Sequence, residues 1–317
     1  MNSHSVTSIF GDLDVEVELD APIGMQSWFT AGGTADTLVR PASIEALAEI
    51  IRRCRRTTIP VRIMGEGANL LVSDEGVGGI VIRLDAPAFK SVEFNSEGGL
   101  ELMKVGAGAD MARTLMDATR RGLAGLSQMA GIPASIGGAI RMNAGGSYGA
   151  IGDAVHAVAC LSKSGDINVY PAEQLRFDYR STNITDPIIL WATFQVTPSD
   201  PVALRERVKE IFTYKKSTQP LADKSAGCMF KNPVPEGKTE RVSAGAIIDQ
   251  AGLKGHRVGT AEVSDRHANF ITIDRGGKAD DAIALSHEIA RIVLEKTGVR
   301  LDREVAVWTR DDDSGSI

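Results

Sequence analysis

Cysteine, histidine and aromatic residues are scarce in this sequence, and each scarcity excludes something. The three cysteines, Cys54, Cys160 and Cys228, are too few and too scattered for a disulfide framework or a cysteine zinc site. The five histidines include no close pair with metal-ligand spacing, so no metal is expected. No uninterrupted apolar run is long enough to span a bilayer, and the N-terminus lacks the basic, apolar, small-residue order of a signal peptide. Positive charge is also in deficit. The net charge of −6 and pI near 5.5 argue against a nucleic-acid surface. They leave room for a small anionic ligand held by a local cluster of donors. A reducing cytoplasm is the expected setting.

Glycine, by contrast, is abundant, at 33 of 317 residues. Many glycines fall beside apolar runs, at Gly32-Gly33, Gly65–Gly67, Gly131–Gly138 and Gly145–Gly149. Such clusters let backbone amides approach a ligand, although several must simply be turns. The length allows two or three domains, and 43% hydrophobic with 24% charged residues is ordinary globular composition.

Along the chain, residues 1–20 are polar and acidic and read as a loosely held arm. A strand closed by Pro41 follows, then a helix capped by Ser43, with Ile44, Leu47, Ala48, Ile51 and Cys54 at helical spacing. Cys54 is therefore core. Strands at Val61–Met64 and Gly79–Leu84 flank Gly65-Glu-Gly-Ala-Asn-Leu70, whose character is that of an anion-binding nest. Val105-Gly-Ala-Gly-Ala-Asp-Met111 follows a strand and opens a helix, the context of a dinucleotide fingerprint. Met111 stands where the third Gly or Ala is required, and Asp110 is better explained as a helix cap.

Gly131 to Gly149 has little periodicity and reads as a long loop with Arg141 as its one charge. Covering a flat aromatic cofactor and its pyrophosphate would give such a loop a task. Val155–Leu161 and Ile167–Tyr170 are expected strands, which makes Cys160 core. Phe177-Asp-Tyr-Arg-Ser-Thr182 offers Arg180 as a fixed cation or as a surface stem laid over Tyr179. A strand over Ile188–Val196 comes next. A helix from Pro201 opens the last third, where a helix capped by Ser243, a strand at His267–Ile273, a helix over Asp280–Lys296 and a strand at Val299–Trp308 alternate. The order implies an α+β fold divided at 21–84, 85–200 and 201–308, with a disordered tail from 309.

Ser225-Ala-Gly-Cys-Met-Phe-Lys-Asn-Pro233 gathers a thiol, a cation and a carboxamide within five positions. Cys228 can transfer a proton, Lys231 can hold an anion, and Asn232 can read a polar ligand. Equally, the stretch can be a strand entering a turn, with Cys228 packed. A cysteine hydrolase would need a histidine partner, and the spacing singles out neither His256 nor His267.

Five segments then occur in an order that resembles one family: Gly65–Leu70, Gly131–Gly149, Tyr179-Arg180, Gly227–Pro233 and Leu301-Asp-Arg-Glu-Val305. Together they are similar to the UDP-N-acetylenolpyruvoylglucosamine reductases, over about Pro22 to Trp308. His267-Ala-Asn-Phe-Ile271 and the compact last domain resemble the shorter of that family's two subtypes. The resemblance implies a two-subdomain FAD-binding region of the vanillyl-alcohol-oxidase type and a C-terminal α+β substrate domain. It implies non-covalent FAD, NADPH as co-substrate, UDP-N-acetylglucosamine enolpyruvate as substrate, and a monomer. Cofactor contacts would come from Gly65, Glu66, Gly67, Ala68, Asn69 and Leu70, and from Gly131, Ile132, Pro133, Ser135, Gly137, Gly138, Asn143 and Gly145. Tyr179, Lys231 and Asn232 would touch the substrate. Arg180, Cys228 and Glu304 would be catalytic: a carboxylate clamp, a proton donor and a polarising acid.

Ala68 and Ala134 stand where Ser and Gly are usual in that family, and Thr182 and Asp302 where Ser and Glu are commoner. None removes a catalytic group. The rival functions are a flavin-dependent sugar or alcohol oxidase of the same fold, and a non-catalytic nucleotide-binding protein.

Overall fold

A computed structural model describes residues 9–219 and 225–311. Its first layer is a four-stranded sheet of β1 (Val15–Ala21), β2 (Ala35–Pro41), β3 (Val61–Met64) and β5 (Val77–Arg83), in the order β1-β2-β5-β3. The short strand β4 (Leu70–Val72) lies between β3 and β5 in sequence but outside this sheet. Helix α1 (Ile44–Arg56) crosses from β2 to β3; Ser43 Oγ accepts from Ala46 N, and Leu47, Ile50, Ile51 and Cys54 face inward. This β–α–β crossover makes β2 and β3 parallel to each other, and each pairs in parallel with β5 between them.

The expectation of a loose arm over residues 1–20 fails where it can be tested. β1 pairs antiparallel with β2 over Val15–Ala21, and Phe10 is buried. Val15, Val17 and Leu19 alternate with Glu16, Glu18 and Asp20, a period of two that acidic composition masked. Arg40 bonds Glu16 and Glu18 across the pair, which makes the charges part of the strand's outer face. Residues 1–8 of that arm, and 312–317 of the expected tail, lie outside the described residues.

The second layer is an antiparallel sheet built from β6 (Val92–Glu97), β7 (Leu100–Gly106), β8 (Val155–Leu161), β9 (Ile167–Pro171) and β10 (Ile188–Pro198), ordered β9-β8-β10-β7-β6. Helix α2 (Met111–Arg120) is capped by Asp110, which accepts from Arg113 N. The supposed loop Gly131–Gly149 contains a helix, α3 (Ile136–Arg141), capped by Ser135. Its periodicity is illegible because glycines occupy two of its six positions.

Helix α4 (Pro201–Thr218) also departs from the expected division at 201. Ile211 belongs to the same core as the second sheet, and Lys215 Nζ donates to the carbonyl of Ala130 at 2.7 Å. The helix therefore packs on the second layer rather than opening the last domain.

The C-terminal domain has its own core. Helix α5 (Ala244–Gln250) precedes the antiparallel sheet β11 (Arg257–Val258), β12 (Ala261–Val263) and β13 (Ile271–Ile273). The expected strand from His267 is thus confined to its last three residues. Helix α6 (Ala279–Thr297) covers this sheet with Ala282, Leu285, Ile289 and Val293, and ends at Gly298 in the left-handed conformation. The expected strand from Val299 is likewise short: β14 (Ala306–Trp308) pairs parallel with β4 and so rejoins the first layer. Among the described residues, no helix is long and apolar enough to cross a membrane.

Helix α6 has no side-chain cap of its own. Asp74, from the turn after β4, accepts from Ala279 N and Asp280 N, while Asp280 Oδ1 accepts from Asp74 N. Asp74→Ala is expected to cost roughly 0.5–1 kcal/mol, the low end for a lost N-cap because the group is exposed. Differential scanning fluorimetry should register a fall in Tm of about 1–2 °C.

Candidate active site

Phe177-Asp178 and Ser181-Thr182 pair as a hairpin whose two turn residues are Tyr179 and Arg180. Arg180 has φ of 57°, a left-handed value that costs a non-glycine residue on the order of 1 kcal/mol. The surroundings hold it there. Asn143 Nδ2 donates to the Asp178 carbonyl at 2.9 Å, and Arg180 Nη1 donates to the Gly145 carbonyl at 3.1 Å. Tyr179 Oη accepts from Asn232 N at 3.0 Å, and the Arg241 guanidinium lies 4.1 Å above the Tyr179 ring.

Across the cleft, residues 228–231 run between two supports. Glu304 N donates to the Met229 carbonyl at 2.8 Å, Lys231 N donates to the Asp302 carbonyl at 2.9 Å, and Phe230 bridges Arg303. Glu304 itself precedes β14. Asn69 Nδ2 donates to its carbonyl at 3.0 Å, so a residue of the glycine-rich nest holds the acidic residue in place.

These supports bring the expected trio together. Arg180 Nε donates to Glu304 Oε1 at 2.5 Å, with both side chains less than a fifth exposed. Burial raises the Glu304 pKa above the ordinary carboxyl range, against the opposing pull of Arg180 and Lys231. Cys228 is half-buried, and its thiol is pushed up to about 12 by burial and then by the Glu304 charge, with Arg180 pulling the other way. The thiol is therefore far from an unperturbed one, and it stays protonated at neutral pH. Cys54 and Cys160 are also raised to about 12 by burial, but both sit in the hydrophobic core. His256 instead bonds Glu288, and His267 packs on Phe270; among the described residues neither bonds Cys228.

The expected substrate pair divides. Among the described residues the Lys231 ammonium has no hydrogen-bond partner, whereas Asn232 Oδ1 accepts from Ala244 N at the start of α5. Half of the Asn232 carboxamide is thereby committed to the domain's own structure.

A cavity of about 430 Å³ lies between the two layers. Of the expected cofactor residues, Gly65, Glu66, Ser135, Gly137 and Gly138 line it. Gly67, Ala68, Asn69 and Leu70 do not, nor do Gly131, Ile132, Pro133, Asn143 and Gly145. Leu70 is committed to β4, and Asn143 spends its carboxamide on Asp178 and Gly152. Ala107 and Gly108, Arg141, and the loop residues Lys163 and Thr185 line the cavity without having been expected to. Arg141 was legible as an isolated charge in a glycine-rich run; it donates to the carbonyls of Ile184, Asp186 and Pro187. Lys163 and Thr185 carry no signal in sequence, because only folding brings their loops together.

The residues present suit a flavin dinucleotide. Among the described residues, the main-chain N–H groups of Glu66, Gly67, Ala68 and Asn69 donate to no protein acceptor, as a pyrophosphate nest requires. Gly65 and Gly137 keep the approach open: a Cβ at Gly65 would meet Ser135 Oγ at 2.5 Å, and one at Gly137 would meet Ala107 Cβ at 3.0 Å. Ile63, Leu84 and Ile189 give apolar walls, and Arg141 a cation.

The family model for the C-terminal domain of UDP-N-acetylenolpyruvoylglucosamine reductase matches residues 219–308, and a model for an FAD binding domain matches residues 35–169. The UDP-N-acetylenolpyruvoylglucosamine reductase of Syntrophobacter fumaroxidans is 36% identical over 97% of this chain and 88% of its own. The chain belongs to the UDP-N-acetylenolpyruvoylglucosamine reductase family. Another member, from Listeria innocua, is 33% identical over 94% of this chain and 96% of its own. The crystal structure of the Thermus caldophilus reductase superposes with a TM-score of 0.75 at 35% identity, covering 93% of this chain and 98% of that one. The expected α+β architecture, an FAD-binding region followed by a C-terminal domain, is thereby borne out.

Gly65→Ala should weaken FAD binding at least tenfold, because the added methyl displaces Ser135 from the cavity wall. Quenching of flavin fluorescence during reconstitution of apoprotein measures this directly, and unchanged affinity would place the dinucleotide elsewhere.

Proposed function

We propose that the protein reduces the enolpyruvyl group of UDP-N-acetylglucosamine enolpyruvate to give UDP-N-acetylmuramate, a step of peptidoglycan synthesis, at the expense of NADPH. The observation that carries this reading is the Arg180–Glu304 pair, 2.5 Å apart, with the Cys228 thiol within reach of both charges. Non-covalent FAD, held by the amides of Glu66–Asn69 and by the cavity wall at Ser135, Gly137 and Gly138, would supply hydride chemistry between NADPH and the enolpyruvyl ether.

Hydride addition leaves negative charge on the adjoining carbon and the substrate carboxylate. A guanidinium has five N–H donors, and Arg180 spends one on Glu304 and one on Gly145. The remaining donors take the substrate carboxylate and stabilise that charge. The arriving carboxylate places a second negative charge near Glu304 and pushes its already raised pKa further up, toward the protonated form that polarises the intermediate. Cys228 gives its proton to the carbon that bears the charge, which completes addition of hydride and proton across the double bond. Lys231, whose ammonium has no hydrogen-bond partner among the described residues, takes an anionic part of the UDP-sugar, and Tyr179 keeps a free hydroxyl proton to offer it.

Protonation belongs only to the second half-reaction. Stopped-flow flavin traces should therefore find Cys228→Ala nearly normal in reduction by NADPH and slower by orders of magnitude in reoxidation by substrate. Equal losses in both halves would make Cys228 structural. Cys228→Ser should retain appreciable turnover, since a hydroxyl can also donate.

The raised thiol also has a pH signature. Ionisation removes the donor only as pH approaches about 12, so Cys228 should impose no loss of reoxidation rate between about pH 6 and pH 9. Alkylation of Cys228 by iodoacetamide, followed by mass spectrometry, should rise steadily through pH 9. A plateau there would mean that the thiol titrates at its ordinary value.

A further inference from the structure

Asn269 is 2% exposed and lies in the turn before β13, remote in sequence from every catalytic residue. Its carboxamide is spent on a single short segment. Oδ1 accepts from Phe230 N at 2.9 Å, Nδ2 donates to the Phe230 carbonyl at 2.8 Å, and the Asn269 carbonyl accepts from Met229 N at 2.7 Å. The side chain thus imitates a neighbouring strand for one residue, satisfying both backbone groups of Phe230 in a place where water is excluded. The opposite edge of the segment is held by Glu304 N on the Met229 carbonyl. Cys228 is the next residue back along the chain, so the clamp on Met229 and Phe230 sets the point from which its side chain leaves the backbone.

The support of Asn269 is itself fixed. Asn269 N donates to His267 Nδ1 at 3.3 Å, and a Cβ on Gly245 would meet His267 Cε1 at 3.0 Å and Asn269 Cβ at 3.6 Å. The rotamer of Asn269 is therefore set by close packing, and a rotamer so fixed can transmit direction to the group it holds.

From this geometry we propose that Asn269 is a positioning residue for the reduction: it fixes the direction of the Cys228 thiol relative to Glu304, and so the face from which the proton is delivered. The proposal rests on the donor role given to Cys228 above. It makes a demand that simple structural support does not, because the effect of Asn269 must pass through the sulfur.

Asn269→Asp keeps the shape and the acceptor for Phe230 N but removes the donor to the Phe230 carbonyl and sets a carboxyl group there in its place, which releases one arm of the clamp. Flavin reduction by NADPH should proceed at the unaltered rate, while reoxidation by substrate slows at least tenfold with a smaller change in KM. In a Cys228→Ala background the same substitution should cause no further loss. Additive losses, or equal losses in both half-reactions, would overturn the proposal. Alkylation separates this outcome from failure of the donor role. At about pH 9 iodoacetamide should modify Cys228 several-fold more slowly in Asn269→Asp, because a carboxylate against the adjoining backbone adds a like charge near the thiolate. An unchanged or faster rate would overturn the hold of Asn269 on the thiol, whatever Cys228 does in turnover.

Discussion

The parallel pairing of Ala306–Trp308 with Leu70–Val72 is the constraint on which the site depends. It fastens the end of the C-terminal domain to the strand that leaves the glycine-rich nest. Asn69 reinforces the join from both sides, accepting from Ala306 N and donating to the Glu304 carbonyl. Glu304 reaches Arg180 because this seam delivers it there. A single connection, Gly65–Asn69, links the cavity to the catalytic pair: Gly65 and Glu66 line the first, and the Asn69 side chain braces Glu304 of the second.

The electrostatics follow from that placement. A carboxylate and a guanidinium brought together away from water lose hydration on both sides, and their attraction offsets only part of that loss. The net upward shift of Glu304 records the imbalance. The same low-dielectric surroundings keep the Cys228 thiol neutral. One packing arrangement therefore raises the pKa of two weak acids beside a permanent cation, which suits chemistry that ends in protonation of a carbanion-like centre.

Elements whose pattern is local were readable in the residues. Ser43, Asp110 and Ser243 cap the helices expected of them, and Gly298 ends α6. Arg180, Cys228 and Glu304 were legible only through the order of motifs, since no periodicity relates residues so far apart. What was missed has identifiable causes. The alternation of β1 was hidden by its acidic face, and α3 by the glycines that the cavity requires. The resemblance gave Asn69 and Asn143 as cofactor contacts; their carboxamides brace the cleft, and Asn69 leaves its main-chain N–H to the nest. Asn269 lay in a stretch read as a strand and a subtype marker, and its bracing role was illegible because its partner segment lies on another loop.

The β4–β14 seam has a consequence for how the molecule comes into being. β4 emerges from the ribosome long before the strand that covers its edge, and at ordinary elongation rates the interval is roughly 10–50 s. During that time β4 has no partner strand, and no Glu304 stands beside Arg180. Assembly of the cleft is thus a late event in biosynthesis, and a ribosome that stalls before Ala306 leaves a chain whose earlier domains are folded yet catalytically mute.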